Sequence, residues 1–240
     1  MNILGIESAT TVCAAAIVED GRILSEKTID LPRVHSEKMI SLIGQTLSDA
    51  SSSPRDIDGI AVSIGPGSFT GLRIGLSIAK GLAFGNDKPL IAVSTLEALA
   101  WNAVRGQSAH KGHLLLPLID ARRDEVYAAS YRPNGTGLEV GFAPCSMTLK
   151  DLQVCLRNDS QVLLSGDGAE KFLQYIFHNH HADAWRYSIL SRDRLQCSAA
   201  AVGILGEKKL VNGEAADLPS LEPVYVKDFS TLVKSQHARM

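Results

Sequence analysis

The chain has 240 residues, of which 45% are hydrophobic and 5% are aromatic, so its length and composition allow one large or two small domains with aliphatic cores. Its 24 basic and 26 acidic residues give a net charge of −2. The basic residues are dispersed along the chain. This excludes the strongly basic surface typical of nucleic-acid-binding proteins and predicts only indirect contact with any RNA.

The composition also favours a cytoplasmic protein without a membrane segment. The longest segment that lacks charged residues, 59–72, is too short and too interrupted by glycine and proline to cross a bilayer. The four cysteines include no CxxC pair, and so few cysteines indicate reduced thiols in a cytoplasm. The start of the chain lacks the basic segment of a secretory signal.

The first half of the chain predicts an opening hairpin followed by alternating helices and strands. Asp20 and Gly21 form a hairpin turn signal, and SPRD at 53–56 is typical of a capping box on a short helical turn. Apolar periodicity gives strands 2–7, 12–18 and 22–29, helix 36–50, strand 59–64, helix 71–84, strand 89–93 and helix 95–105.

The second half repeats this order. Residues 114–120 and 126–132 predict a hairpin like the opening one, with Asn134 and Gly135 at its turn. The remaining predicted elements are a helix near 148–157, a strand at 161–165, helices at 168–179 and 197–211, and an extended tail at 222–227. We therefore predict two mixed α/β subdomains, 1–105 and 106–240, and leave open whether the final tail returns to the first.

The segment GPGSFTG is a glycine-rich turn, and the helix after it has a face of small residues. Gly71, Gly75 and Ala79 recur every four residues, which places them on one side of the helix. A glycine inside a helix costs roughly 1 kcal/mol relative to alanine, so we expect a compensating contact. Three contacts remain open: the chain's own sheet, another protein, or an anion at the start of the helix.

Six segments carry a resemblance to a known family: IESATT, HSEKMISLI, GPGSFTGLRIG, KPLIAVSTL, IDARRDEVY and EPVYVK. The chain resembles the actin-like ATPase superfamily and, within it, the TsaB (YeaZ) family, over its whole length. GPGSFTGLRIG is highly specific to this family, whereas the other segments alone are weak signals. Glu7 is a departure, because many relatives carry Asp there, but both residues keep a carboxylate at the strand end.

The resemblance implies an α/β protein with a duplicated actin-like ATPase (ribonuclease H-like) fold. It also implies a non-catalytic scaffold subunit that dimerises with a TsaD-like catalytic subunit. That subunit transfers a threonylcarbamoyl group to the adenosine next to the anticodon of tRNAs that read codons starting with A, and a TsaE-like ATPase completes the complex. A homodimer of the chain alone stays open as an alternative.

The histidine pair that binds metal in TsaD-like chains is absent from this sequence. In the corresponding segment, KPLIAVSTLEAL, the two positions hold Thr95 and Leu99. We interpret His110 and His113 as part of a polar loop and HNHH at 178–181 as a polar helix end, because neither set has the further ligands of a defined metal site. We predict no metal and no catalytic residue, with a TsaD-like metalloenzyme as the alternative.

Three turns correspond to the nucleotide-binding turns of actin-like ATPases, namely Ser8–Thr11, Ala121–Arg123 and Gly166–Gly168. The first turn has hydroxyl groups but neither glycine nor lysine, which makes it a poor phosphate cradle. We predict no cofactor, and an actin-like kinase or ATPase remains the enzyme alternative. Weak nucleotide binding at Arg122, Arg123 or the Gly166–Gly168 turn stays open.

The predicted helices 36–50 and 71–84 form the candidate partner-binding surface. Their spacing favours packing on the chain's own sheet and contact with a partner equally. The resemblance favours the second, because the corresponding helices of that family form a bundle with the partner's pair. We expect Gly75→Leu to abolish this association and leave the monomer folded. The candidate partner-binding residues are Met39, Ile40, Ile43, Gly71, Leu72, Arg73, Gly75, Leu76 and Ala79.

Overall fold

In the computed structural model, the chain folds into two five-stranded sheets with helices packed around them. The structure describes residues 1–31, 35–105, 112–134, 137–159 and 161–226. Each sheet is mixed, with three antiparallel strands followed by two parallel ones. None of the helices in these ranges combines the length and apolar character needed to cross a membrane.

The first sheet has the strand order β3-β2-β1-β4-β5. Its strands are β1 (Asn2–Glu7), β2 (Val12–Glu19), β3 (Arg22–Asp30), β4 (Gly59–Gly65) and β5 (Leu90–Ser94). The associated helices are α1 (His35–Asp49), α2 (Phe69–Asn86) and α3 (Thr95–Val104), with a 3₁₀ turn at Pro54–Asp56. In that turn the Asp56 carboxylate accepts hydrogen bonds from the N–H and the hydroxyl of Ser53, which confirms the predicted capping interaction.

The second sheet repeats the first, with the order β10-β9-β6-β7-β8. Its strands are β6 (Leu114–Asp120), β7 (Glu125–Pro133), β8 (Leu138–Thr148), β9 (Val162–Ser165) and β10 (Tyr187–Ile189). The helices of this half of the chain are α4 (Leu149–Cys155), α5 (Ala169–Asn179), α6 (Arg192–Leu195) and α7 (Ala199–Val211). Every strand has a counterpart at the same place in the other sheet, so the predicted duplication is confirmed.

The two edge strands of the second sheet, β8 and β10, were not predicted from the sequence. β8 reads LEVGFAPCSMT, and its glycine and proline are both depleted in strands. Most of its side chains are exposed or half-exposed, so it lacks a clear alternation of buried and exposed positions. β10 has only three residues. β8 pairs with β7 and β10 pairs with β9, so both strands are held by pairing with a neighbouring strand rather than marked by a sequence pattern of their own.

Helices α3 and α7 form a layer between the two sheets. Helices α1 and α2 cover one face of the first sheet, whereas α7 packs on β1, β2 and β4 from the other face. Helix α3 contacts β6 and β7, so Leu99 of α3 and Leu115 of β6 share one apolar cluster. A Cβ on Gly5 of β1 would overlap with the carbonyl oxygen of Ala199. The close approach of α7 therefore explains its alanine- and glycine-rich sequence.

The last described residues return to the first sheet. We call residues 216–225 the C-terminal strap. The N–H of Val224 donates to the carbonyl oxygen of Ile64 at the end of β4 over 2.7 Å. Upstream, Lys80 Nζ of α2 donates to the carbonyl oxygen of Pro219 over 3.1 Å. The strap thus follows α2 from its middle toward its start. The last residue of the predicted extended tail, 227, lies outside the described residues.

Candidate functional site

The GPGSFTG turn joins β4 to α2 and packs against the turn between β1 and β2. Ser68 is the N-cap of α2: its Oγ accepts a hydrogen bond from the N–H of Gly71 over 3.3 Å. Its own N–H donates to the carbonyl oxygen of Ala9 over 2.6 Å. Gly65 has a φ of +121°, and a Cβ there would lie 2.5 Å from the carbonyl oxygen of Val224. Backbone contacts within the chain therefore account for this turn.

The small-residue face of α2 also lies against the β1–β2 turn. A Cβ on Gly71 would overlap with the carbonyl oxygen of Ser8, and a Cβ on Gly75 with the Oγ of the same serine. Ser8 Oγ donates to the carbonyl oxygen of Gly71 over 2.9 Å, and Ala79 is fully buried. The prediction that these three small residues are exposed to a partner is therefore wrong. Of the three alternatives, packing inside the chain is the one observed.

Four further residues of the predicted partner-binding set belong to the core of the first half. Each is at most 5% exposed, so none of these side chains can reach a partner in this structure. They are Met39, Ile43, Leu72 and Leu76. Two residues of the set lie on the surface: Ile40 of α1, which is 58% exposed, and Arg73 of α2.

Helices α1 and α2 begin at the same end of the first sheet and share an outer surface. His35 Nε2 at the start of α1 lies 3.1 Å from the carbonyl oxygen of Val12, and α2 starts against Ser8, so both helices run away from the β1–β2 turn. They also contact each other. We define the outer helix surface by seven exposed residues: Ile40, Gly44, Phe69, Arg73, Gly81, Phe84 and Gly85.

The glycines of this surface are open, and most of the residues that form it were not predicted from the sequence. Apart from the local backbone of the same helix, no described atom lies within 4 Å of a Cβ placed on any of its three glycines. Phe84 is 81% exposed, more than any other large apolar side chain recorded for the described part of the chain. The missed signal is a second four-residue repeat, offset from the first: Arg73, Ser77, Gly81 and Gly85 lie on the side of α2 opposite to Gly71 and Gly75.

The β1–β2 turn was the first candidate nucleotide-binding turn. Two of its backbone N–H groups donate to side chains of the chain itself. The N–H of Ala9 donates to Oε1 of Glu7 over 2.6 Å. The N–H of Ser8 is 3.5 Å from Oγ of Ser63 at the end of β4. A phosphate cradle requires several backbone N–H groups that point at the ligand. The bonds of Ser8 and Ala9 therefore remove donors that phosphate binding would need.

The β6–β7 turn has the same internal arrangement. The N–H of Arg122 donates to Oδ1 of Asp120, and the N–H of Asp120 donates to Oδ1 of Asp167, both over 2.9 Å. Arg122 and Arg123 have φ values of +67° and +52°, and their side chains are exposed. Asp120 thus plays the same part as Glu7 in the first half, because each carboxylate accepts the N–H two residues further along the chain.

The GDG turn after β9 packs on its own sheet. Gly166 has a φ of +89°, and a Cβ there would overlap with the carbonyl oxygen of Leu118. The N–H of Gly168 donates to the same oxygen over 3.1 Å. This arrangement is the counterpart of the glycine turn before α2. Close packing is enough to account for both glycines without a nucleotide.

Glu7 is fully buried at the end of β1. Because burial disfavours the charged form, the pKa of its carboxyl rises from the ordinary 4.5 to about 7. Its Oε2 has no hydrogen-bond partner among the described residues. The pKa of the buried Cys197 thiol is also raised well above its usual range, first by burial and then by the Glu7 and Asp167 carboxylates. A thiol with a raised pKa is a poor nucleophile.

The two positions at which the resemblance implies metal-binding histidines in TsaD-like chains lie in the first half of α3. Thr95 and Leu99 are both fully buried, and Leu99 packs between the two sheets. Within the described ranges, no three His, Cys, Asp or Glu side chains lie together as a metal site requires. His110, which was considered with His113, lies outside the described residues.

Comparison with known proteins gives matches to TsaD-type and TsaB-type proteins. The family model described as "TsaD: tRNA N6-adenosine threonylcarbamoyltransferase" matches residues 23–227. The tRNA threonylcarbamoyladenosine biosynthesis protein TsaB of Bacillus subtilis is 31% identical over 95% of this chain and 94% of its own length. The TsaB protein of Escherichia coli is 40% identical over 58% of this chain, and the match spans 58% of that protein.

A solved structure has the same fold over almost the whole chain. It is the crystal structure of a Pseudomonas aeruginosa protein described as similar to peptidase YEAZ, with a TM-score of 0.77 and 26% identity, covering 94% of this chain and 99% of that one. The predicted duplicated actin-like fold is confirmed. Because both the family model and the Bacillus relative span most of the sequence, the chain belongs to the TsaB (YeaZ) family.

Proposed function

We propose that the chain is a non-catalytic subunit in tRNA threonylcarbamoyladenosine biosynthesis, and that it binds a TsaD-like catalytic subunit through the outer helix surface. The names of its relatives support the pathway. In this proposal the TsaD-like subunit modifies the adenosine next to the anticodon of tRNAs that read codons starting with A. A TsaE-like ATPase completes the complex in the cytoplasm, and the chain contacts tRNA only indirectly.

The observation that carries this proposal is the exposure of Ile40 and Phe84 beside the open glycines of α1 and α2. Their exposed fractions are 58% and 81%. Exposed apolar side chains grouped on one surface mark interaction sites. Glycines without neighbours allow a second pair of helices to approach closely. The TsaD family model matches residues 23–227 of this chain, so a TsaD-like partner has an equivalent helix pair to offer.

Two observations support the absence of catalysis. First, the N–H groups of Ala9 and Arg122, in the two turns that would hold phosphates, bond to the chain's own carboxylates. Second, Thr95 and Leu99 stand at the positions of the metal-binding histidines, and the leucine side chain cannot bind a metal. Within the described ranges, these observations argue against the arrangements through which an actin-like ATPase or a TsaD-like metalloenzyme would act.

We expect Ile40→Asp to weaken binding of the cognate TsaD-like subunit about 30-fold or more, because it places a charge in an apolar contact. Isothermal titration calorimetry measures the dissociation constant. Val211→Asp is the matched control, since Val211 is 73% exposed at the end of α7 and lies outside the outer helix surface. Equal affinity of both variants for the partner would contradict the proposed surface.

The non-catalytic role has a separate test. Threonylcarbamoyl transfer to tRNA is reconstituted from the purified subunits, with and without this chain. We expect no transfer by this chain alone, and loss of transfer in the complete mixture when Ile40→Asp replaces the wild type. Transfer by this chain without the TsaD-like subunit would contradict a scaffold role.

A further inference from the structure

Three side chains form a compact cluster where the C-terminal strap meets the first turn of α2. The ring centroids of Phe69 and Tyr225 are 5.2 Å apart. Arg73 Nε donates to the Tyr225 hydroxyl over 3.0 Å, and Arg73 Cζ lies 3.9 Å from the centroid of the Phe69 ring. We call these three residues the Arg73 cluster. It joins two segments that are 152 positions apart in the sequence.

The position of Tyr225 does not depend on the cluster itself. The residue before it, Val224, is held by its hydrogen bond to Ile64, and its carbonyl oxygen fits against Gly65. Further upstream, Leu218 and Leu221 pack on the core of the first half. A change of the Tyr225 side chain is therefore expected to leave the strap in place. The tyrosine can be altered without unfolding the chain.

The cluster is open to solvent on the outer helix surface. Phe69 is 39% exposed and Tyr225 is 37% exposed. Arg73 is the fifth residue of α2 and Ile40 the sixth of α1, and both helices begin at the same end of the sheet. The cluster thus lies at about the same height along the helix pair as the residue that carries the proposed partner contact.

The guanidinium group of Arg73 is held in one orientation, and described residues use only part of its N–H donors. The cation–π contact with Phe69 and the hydrogen bond to Tyr225 hold its guanidinium in one orientation. Among the described residues, no acceptor bonds to the two terminal nitrogens of Arg73, and no carboxylate pairs with it. A planar pair of such donors matches a carboxylate. An ordered side chain also loses less freedom on binding than a mobile one.

We propose that Tyr225 is a positioning residue that orients Arg73 toward a carboxylate of the TsaD-like subunit. This inference rests on the proposed function, because it adds the end of the strap to the same partner surface. Arg73 makes the contact, and Tyr225 acts through it. The strap is thereby part of the binding surface rather than only a support for α2.

The test measures binding of the cognate TsaD-like subunit by calorimetry with the full chain. Removal of the hydroxyl in Tyr225→Phe is expected to weaken binding about 3-fold, and Tyr225→Ala about 10-fold, in the range of one lost hydrogen bond and one lost ring contact. Arg73→Ala is expected to weaken binding about 30-fold, as for a charge-assisted contact. Thermal unfolding midpoints of the tyrosine variants should equal that of the wild type.

A double-mutant cycle distinguishes positioning of Arg73 by Tyr225 from an independent contribution of Tyr225 to binding. If Tyr225 acts through Arg73, the variant with both alanines binds no more weakly than Arg73→Ala alone. A further 10-fold loss in the double variant would overturn the positioning role, because it would show that Tyr225 contributes independently. Binding that loses its salt dependence in Arg73→Ala supports the contact with a carboxylate.

The Ile40→Asp variant distinguishes failure of this inference from failure of the proposed function. If Ile40→Asp weakens binding while Tyr225→Ala and Arg73→Ala bind like the wild type, the inference is overturned and the proposed function stands. If none of the three affects binding, both are overturned. A change in self-association alone, measured by sedimentation velocity, would also overturn the inference.

Discussion

Gly71 and Gly81 lie in the same helix, but only Gly71 is required by its surroundings. A Cβ on Gly71 would overlap with the backbone carbonyl of Ser8, whereas one on Gly81 would meet no described atom within 4 Å outside the local helix backbone. We expect Gly71→Ala to lower the free energy of unfolding by about 2–3 kcal/mol through overpacking. Gly81→Ala should raise it by about 0.5–1 kcal/mol, because alanine favours the helix. Urea unfolding measures both.

Similar effects of the two substitutions on stability would contradict this account of α2. The same contact corrects the expectation for Gly75→Leu. Its side chain would enter the space of Ser8 Oγ, so we now expect the monomer itself to be destabilised. Loss of partner binding in that variant would then report on folding rather than on the interface.

Glu7 makes the stability of the chain depend on pH. Burial raises its pKa from 4.5 to about 7, so the folded state holds a proton that the unfolded state releases between these values. The contribution of Glu7 to stability is complete below pH 4.5. It is lost as the pH rises to about 7, which lowers the free energy of unfolding by roughly 3 kcal/mol at most. Glu7→Gln keeps the acceptor for Ala9 and cannot ionise.

We therefore expect Glu7→Gln to be more stable than the wild type at pH 8 and nearly equal to it at pH 5. Chemical unfolding at both pH values measures the difference, and the exposed Glu170→Gln serves as the control. A Glu7→Gln variant whose stability falls with pH as steeply as that of the wild type would show that another group causes the pH dependence.

The extent of α2 was predictable from the sequence, but the roles of its two sides were not. Periodicity and the capping serine are local signals, and the predicted helix 71–84 lies within the observed Phe69–Asn86. Small residues repeat on both sides of this helix. The inner side is small because the β1–β2 turn, some sixty positions earlier in the chain, approaches it closely. A pattern within one segment cannot reveal that neighbour, so it could not show which side faces solvent.

Within the folded molecule, the last described residues complete the packing of the first half of the chain. One face of the first sheet is covered by α7, and the C-terminal strap lies along α2. A sheet must bury its apolar face to be stable. We expect a fragment of residues 1–105 to remain unfolded, and the same fragment joined to 196–226 by a flexible linker to fold. Near-ultraviolet circular dichroism and amide NMR dispersion measure the difference.

A cooperative unfolding transition of the fragment 1–105 alone would contradict this dependence. The duplication of the two halves does not make them independent, because α7 of the second half packs on the first sheet and α3 contacts both sheets. The halves share one middle layer. We therefore expect a single transition for the complete chain in urea.

The position of α7 sets an order of events during synthesis. The first sheet leaves the ribosome early, yet the helix that covers its inner face begins at Ala199, roughly 95 residues after α3 ends. At about 5–20 residues per second, that face stays uncovered for roughly 5–20 s. During this interval the aliphatic face formed by Ile3, Ala61 and Ile91 is available to chaperones or to other nascent chains. The first half of the chain is synthesised first, but its packing is completed last.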